Sequence, residues 1–234
     1  MNMSIKKYKR ILLFSGGIDS FVAYYFLGKP KTLYFDLKNR YSEKEKKVIK
    51  RLIPTTIIDD TLNLGDIEKK NANIPFRNLF LAMKASAKYA DKVYIVGIKD
   101  DKVSDKNKKI FKTFSDLLSK LEGRKIEILS PFWEMSKKEI LIWYLERGLS
   151  KETLLKTISC YSSSKNTTYC GKCACCFRKW VALYSIGIKL PFYNKKLINV
   201  YRKRCQNNYY TKERNKITLI VIKQYEQKIG SNRH

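Results

Sequence analysis

The sequence predicts an α/β fold: a parallel five-stranded sheet flanked by helices, followed by a cysteine-rich segment. Three observations carry that expectation. Apolar runs and amphipathic stretches alternate five times between residues 10 and 147. A Gly-Gly turn joins the first apolar run to the first helix-like stretch. After residue 157, four cysteines recur with metal-ligand spacing. Alternating β and α segments fold as crossover units, which place helices on the faces of a parallel sheet.

Taken in order, strands are expected over 10–14, 32–37, 55–59, 92–98 and 125–129. Helices are expected over 20–27, 43–53, 77–89, 108–121 and 137–147, with a further one over 177–185. Two of them open on the same Ser-x-x-Glu pattern, Ser42–Glu45 and Ser136–Glu139. In a capping box the hydroxyl and the carboxylate satisfy orphan amides reciprocally. Pro54 stops the second helix, and Gly148 stands where a C-terminal glycine belongs. From Thr157 the texture changes to Ser, Thr, Cys and Tyr, and beyond Pro191 eleven Lys and Arg stand against two Glu. The one apolar stretch there, Ile217–Ile222, is rich in β-branched residues and leans towards strand or a packed edge. The chain divides into 1–156, 157–190 and a basic extension, 191–234.

Composition narrows the class. With 234 residues and 44% apolar content, the chain can bury a substantial core. No run approaches the roughly 18 apolar residues of a membrane span, and the apolar run near the start is too short for a signal peptide. The expectation is a soluble, cytoplasmic protein. The formal charge of +28 has two readings: phosphate neutralisation on a nucleic acid, or a Lys-rich composition scattered along the chain.

Phe14-Ser15-Gly16-Gly17-Ile18-Asp19-Ser20 follows the first apolar run and opens the first helix. Such a turn presents backbone amides and the positive end of a helix dipole to an anion. Ser15 and Ser20 add hydroxyls, and Asp19 either orients the loop or holds Mg²⁺ through water. No Gly-Lys-Ser/Thr follows, so the lysine of a phosphate site must come from elsewhere. The loop resembles the PP-loop of the ATP pyrophosphatases, Ser-Gly-Gly-x-Asp-Ser, which implies ATP and adenylation chemistry.

Cys160, Cys170, Cys173 and Cys176 have the spacing of a tetrahedral thiolate site, which points to one structural Zn²⁺ per chain. Disulfides and a redox Cys-x₂-Cys are the competing readings. Cys175 and Cys205 are left over as plain thiols.

Loop and cysteines together resemble one family, 7-cyano-7-deazaguanine synthase (QueC), over about residues 10–182. Its Ser-Cys-Tyr … Cys-Gly-x-Cys-x-x-Cys element reads Ser159-Cys160-Tyr161 … Cys170-Gly171-Lys172-Cys173-Ala174-Cys175-Cys176. Its Pro-x-Arg-Asn element reads Pro75-Phe76-Arg77-Asn78, and its Thr/Ser-Lys-x-Glu-Ile element reads Ser136-Lys137-Lys138-Glu139-Ile140. Two loops depart from the family pattern, Asp36–Tyr41 and the segment 100–107.

The resemblance implies a Rossmann-like, adenine nucleotide alpha hydrolase-like core with a C-terminal zinc knuckle. It implies ATP-binding by Ser15, Gly16, Gly17, Ile18, Asp19, Ser20, Phe35, Asp36 and Lys137. Asp19, Arg77 and Lys137 become the catalytic candidates, and Arg77, Asn78, Asp100 and Asp105 the substrate-binding ones. Asp36, Asp100 and Asp105 are candidates by position for a base. The implied reaction is an ATP- and Mg²⁺-dependent ligation of ammonia to 7-carboxy-7-deazaguanine, giving the nitrile. The implied partners are a small deazapurine and ammonia, within a homodimer; the charge admits a nucleic acid without requiring one. Three other readings stay open: a PP-loop enzyme modifying tRNA directly, a ligase joining a deazaguanine acid to another acceptor, and a non-catalytic zinc module.

Overall fold

Short β-branched and aliphatic runs pair into one all-parallel sheet of order β3-β2-β1-β4-β5. The strands are β1 (Ile11–Leu13), β2 (Lys31–Phe35), β3 (Ile57–Asp59), β4 (Lys92–Tyr94) and β5 (Glu127–Leu129). The computed structural model describes residues 8–70, 72–99, 101, 103–160 and 168–231. β1 lies centrally, with Leu12 opposite Thr32 of β2 on one side and Tyr94 of β4 on the other. The chain leaves β1 in one direction for β2 and β3, then returns across it to β4 and β5. The carboxyl end of β1 is therefore a topological switch point, where ligands of open α/β sheets bind.

Five helices alternate with the strands: α1 (Ile18–Phe26), α2 (Ser42–Leu52), α3 (Arg77–Lys88), α4 (Lys108–Glu122) and α5 (Lys137–Glu146). On one face Phe21 of α1, Ile49 of α2 and Ile140, Leu141 and Tyr144 of α5 form a buried cluster. On the other, Ala82 and Ala85 of α3 meet Phe111 and Leu118 of α4 over Leu33 and Ile128. Burial of side chains this large stabilises by about 1.5–3 kcal/mol each.

The remaining helices are α6 (Lys151–Leu155), α7 (Ala174–Tyr184), α8 (Lys195–Gln206) and α9 (Lys212–Ser231). The last three, α7, α8 and α9, enclose a third core of Phe177, Trp180, Phe192, Tyr201, Val221 and Ile222. Phe177 stacks on Tyr201 with ring centroids 4.0 Å apart. The strand expected over Ile217–Ile222 is instead part of α9. Thr218, Val221 and Ile222 are buried on one helical face, so packing against α7 and α8 overrides β-branched propensity. Among the described residues, no helix is long and apolar enough to cross a membrane.

The two Ser-x-x-Glu patterns part company. At α5 the capping box forms, with the Ser136 amide donating to Glu139 Oε2 at 2.7 Å and the Glu139 amide donating to Ser136 Oγ at 3.4 Å. At α2 it does not: the helix begins at Ser42 itself, its N-cap is Tyr41, and no side chain caps it. Asn39 Oδ1 takes the Tyr41 amide at 2.9 Å and the Ser42 hydroxyl at 3.2 Å, one turn too early for the box.

Candidate active site

Tight packing beneath it shapes the Gly-Gly turn. Gly16 adopts φ +70°, and a Cβ there would lie 3.3 Å from Val48 and Ile49 of α2 and 3.4 Å from Ile158. Only glycine fits both the conformation and the space. Gly17 is the N-cap of α1 and offers no side chain, so the first amides of the helix face outward without a cap. Ser20 Oγ donates to Gly17 O at 3.0 Å, and Ser15 Oγ lies 3.4 Å from both Ser20 Oγ and the Gly17 amide.

Asp19 and Lys137 meet over this turn, with Lys137 Nζ 2.9 Å from Asp19 Oδ2. The other carboxylate oxygen, Asp19 Oδ1, is buried and has no hydrogen-bond partner among the described residues. Leaving such an atom unpaired is costly, and it suits a cation arriving with an anionic ligand. The capping box at Ser136 fixes the first turn of α5, and with it the stem of Lys137. An ammonium thus stands over a turn whose own loop carries no lysine.

Two clefts open beside the turn and overlap at Ser15, Gly17, Asp19 and Glu45. The first, of about 240 Å³, has apolar walls from Phe14, Leu33, Phe35, Ile95 and Val96, with Arg77, Asn78 and Lys106 at polar positions. That mixture fits a planar heterocycle. The second, of about 180 Å³, gathers Lys137, Arg178 and Lys179 with Ser159 and Cys175. Lys137 and Arg178 there suit phosphate oxygens.

The residues singled out in the sequence divide between lining and support. Ser15, Gly17, Asp19, Ser20, Phe35, Arg77 and Asn78 line the first cleft, and Ile18 and Lys137 the second. Asn78 is held by Asp105, whose carboxylate takes the Asn78 amide at 3.0 Å and Nδ2 at 2.9 Å. Asp105 thus positions Asn78 at the start of α3. Asp36 is buried outside both cleft walls and ties Lys46 at 2.7 Å and Lys38 at 3.3 Å. Burial alone would raise its carboxyl, but hydrogen bonds from Lys46 and Lys38 outweigh it and hold the group well below the usual carboxylate range. Such a carboxylate is a poor base. Asp100 lies outside the described residues, as does Tyr161.

Sequence reasoning assigned no place in the clefts to four side chains. Lys106 spans Val96 O at 3.1 Å and Asp101 Oδ2 at 2.6 Å on the wall of the first cleft. Arg178 donates to Cys175 Sγ at 2.9 Å in the second, so Cys175 is a wall residue. Lys179, 2% exposed, spends its three donors on Leu155 O, Thr157 O and Thr157 Oγ1 at 3.1, 2.7 and 3.0 Å. Burial lowers its ammonium to about 8, and three oxygen acceptors compensate. The fourth is Glu45, whose Oε2 accepts from Tyr34 Oη at 2.8 Å. Its signal was present: Glu45, Val48 and Ile49 share one helical face, and the last two abut Gly16.

The sulfurs of Cys160, Cys170, Cys173 and Cys176 lie within 4.8 Å of one another, with Cys170 and Cys176 at 3.9 Å. A tetrahedral ion with ~2.3 Å metal–sulfur bonds sets sulfurs about 3.8 Å apart, so the set can hold a metal. Burial raises the Cys170 thiol, and a hydrogen bond with Cys173 raises that of Cys176; a cation would reverse both. Gly171, at φ +64°, makes the knuckle turn where a Cβ would strike the Tyr193 ring at 2.9 Å. The segment leading into the knuckle is stitched to the Gly-Gly turn by Ile158 N donating to Gly16 O at 2.9 Å. Metal cluster and anion loop thus share one structural unit.

A family model described as Queuosine biosynthesis protein QueC matches residues 45–187. The chain is similar to a 7-cyano-7-deazaguanine synthase of Sulfolobus acidocaldarius, 28% identical over 227 residues, covering 80% of this chain and 48% of the relative. It is also similar to one of Methanococcus aeolicus, 30% identical over 127 residues, covering 50% of this chain and 54% of the relative. A third, of Persephonella marina, is 35% identical over 81 residues, covering 35% of this chain and 33% of the relative. The chain spans about half the length of the first two curated relatives it matches.

Proposed function

The chain belongs to the QueC family, and from that premise we propose that it is an ATP-dependent ligase converting 7-carboxy-7-deazaguanine and ammonia to 7-cyano-7-deazaguanine. The observation that carries the reading is the uncapped, glycine-built start of α1 with Lys137 and an unpartnered Asp19 oxygen over it, between an apolar and a cationic cleft. A carboxylate is a poor electrophile at neutral pH. In this reading its oxygen attacks the α-phosphorus of ATP and pyrophosphate departs. Ammonia displaces AMP to give the amide, and a second activation, at the amide oxygen, allows loss of AMP to the nitrile.

The protein's share is electrostatic. Amides at Gly17 and Ile18, with Lys137 and Arg178, hold the phosphate charge as it shifts. Mg²⁺ arriving with ATP would meet Asp19 through water and supply further neutralisation. Arg77 and Asn78 hold the deazapurine in the apolar cleft. Zn²⁺ in the four-cysteine site would be structural, because four thiolates leave no open position. The division into an ATP-binding core (1–156), a zinc segment (157–190) and a basic extension (191–234) belongs to this proposal, as do a cytoplasmic location and a homodimer.

Purified protein with ATP, Mg²⁺, ammonium and the acid is expected to yield the nitrile by mass spectrometry, with the amide seen transiently. ATP consumption that depends on the acid but not on ammonium would point to another acceptor. Consumption that depends on tRNA, with neither amide nor nitrile formed, would favour direct tRNA modification. That second reading has one observation behind it: α8 and α9 carry a basic surface with Tyr193 and Tyr209 exposed, beyond the stretch the family model matches.

A further inference from the structure

We propose that Glu45 binds the ammonium ion and takes its proton, so that ammonia is released beside the activated carboxyl group. This inference rests on the ligase reading above and names the site of its second substrate.

Position is the first support. Of the four residues shared by the two clefts, three belong to the anion loop and the fourth is Glu45. That overlap is where a carboxyl group in the apolar cleft meets the phosphates in the cationic one. A nucleophile must approach the acyl carbon there. Chemistry is the second. Among the residues lining either cleft, only Asp19 and Glu45 are carboxylates. Asp19 is paired with Lys137 at 2.9 Å. Glu45 accepts from the neutral Tyr34 hydroxyl through Oε2, the one hydrogen-bond partner of its carboxylate among the described residues, which leaves Oε1 for a small cationic donor.

The surroundings tune the group. Facing it are Tyr34 of β2, Asp36 just past β2, Glu68 of the β3–α3 loop and Arg77 of α3. Across the overlap and the second cleft stand Asp19 of α1, Lys137 of α5, and Arg178 and Lys179 of α7. Burial pushes the Glu45 carboxyl up to about 7, with the Tyr34 hydrogen bond and Arg77 pulling the other way. A base poised near neutrality can accept a proton and return it to solvent each turnover. Tyr34 is itself buried and its hydroxyl is raised, so it stays a donor and orients the carboxylate.

The step balances. Glu45 takes one proton from ammonium, and the N–H bonding pair becomes the lone pair of ammonia. That pair forms the C–N bond at the acyl carbon, and the carbonyl π pair moves onto oxygen. The carbonyl re-forms as the C–O bond to AMP breaks, AMP leaving with the bonding pair. Nitrogen then loses a second proton to solvent, giving the amide.

Glu45→Gln keeps the shape and can keep the Tyr34 contact. With acid, ATP and Mg²⁺, hydroxylamine serves as a nucleophile that is uncharged at neutral pH and needs no base. Glu45→Gln should form hydroxamate within about twofold of the unmodified protein, while amide formation from ammonium at pH 7 falls on the order of a hundredfold or more. Its ammonium rate should then climb with pH as free ammonia rises, and Glu45→Asp should recover part of the loss. Equal loss of hydroxamate and amide would assign Glu45 to acid or ATP binding and overturn the proposal. An unchanged ammonium rate would overturn it too. No acid-dependent hydroxamate from the unmodified protein would overturn the adenylation reading, and this inference with it.

Discussion

The starts of α2 and α5 carry the same four-residue pattern and flank the same glycine turn, yet their glutamates do opposite work. Glu139 closes a capping box and steadies the turn from which Lys137 reaches Asp19. Glu45 caps nothing; Asn39 has taken over that end of α2, and Tyr34 draws the carboxylate to the overlap of the two clefts. A local motif decides the fate of its residues only where no tertiary partner competes. At α5 the box is the best offer available. At α2 a buried tyrosine on the adjoining strand is better.

The largest effect should come from removing what holds the turn between the two helices. Cys173→Ser should lower soluble yield sharply and abolish about one Zn²⁺ per chain in elemental analysis, because metal binding and folding are coupled. Through Ile158 and Gly16 that loss would loosen the turn. Metal-free protein of normal stability would break this link. Next is Lys137→Ala, which should cut turnover on the order of a hundredfold or more and leave the fold intact.

The two glutamates should also titrate with opposite sign. Burial raises the Glu45 carboxyl to about 7, so the folded state holds its proton more tightly than the unfolded chain. Its contribution is full below the unfolded value and is lost as pH rises towards 7. Glu139 is lowered, chiefly by the Ser136 amide, so its contribution is present above the unfolded value and is lost as pH falls. Urea midpoints at pH 5 and 8 should show Glu45→Gln gaining stability at the higher pH, by about 1–3 kcal/mol. Glu139→Gln should lose more at pH 8 than at pH 5. Smallest of all, Ser136→Ala should cost about 1 kcal/mol as a lost cap, whereas Ser42→Ala should cost less, since Ser42 is not the cap of α2.

Much of this architecture was legible because it is local. Strand-turn-helix at residues 11–26, the capping box at Ser136 and the cysteine spacing each depend on neighbours in sequence, and each formed as expected. What the sequence hid is long-range. Asp36 reads as a ligand-edge acid, but Lys46, a turn into the next helix, neutralises it. Asp105 reads as a substrate contact, but Asn78 claims both its oxygens. Ile217–Ile222 reads as strand by its β-branching, yet the aromatic face of α7 needed a helix to cover it. Nothing near Lys179 in sequence shows that it is buried, pinning the turn that leads to Ile158.

Both helix starts matter functionally only if the turn between them activates a carboxyl group with ATP. The nucleotide released in the presence of the acid, Mg²⁺ and ATP tests that most directly, read by chromatography with pyrophosphate measured in parallel. AMP and pyrophosphate in equal amounts, dependent on 7-carboxy-7-deazaguanine and nearly abolished by Lys137→Ala, is the expected result. ADP with inorganic phosphate, or AMP formed at the same rate without the acid, would contradict it.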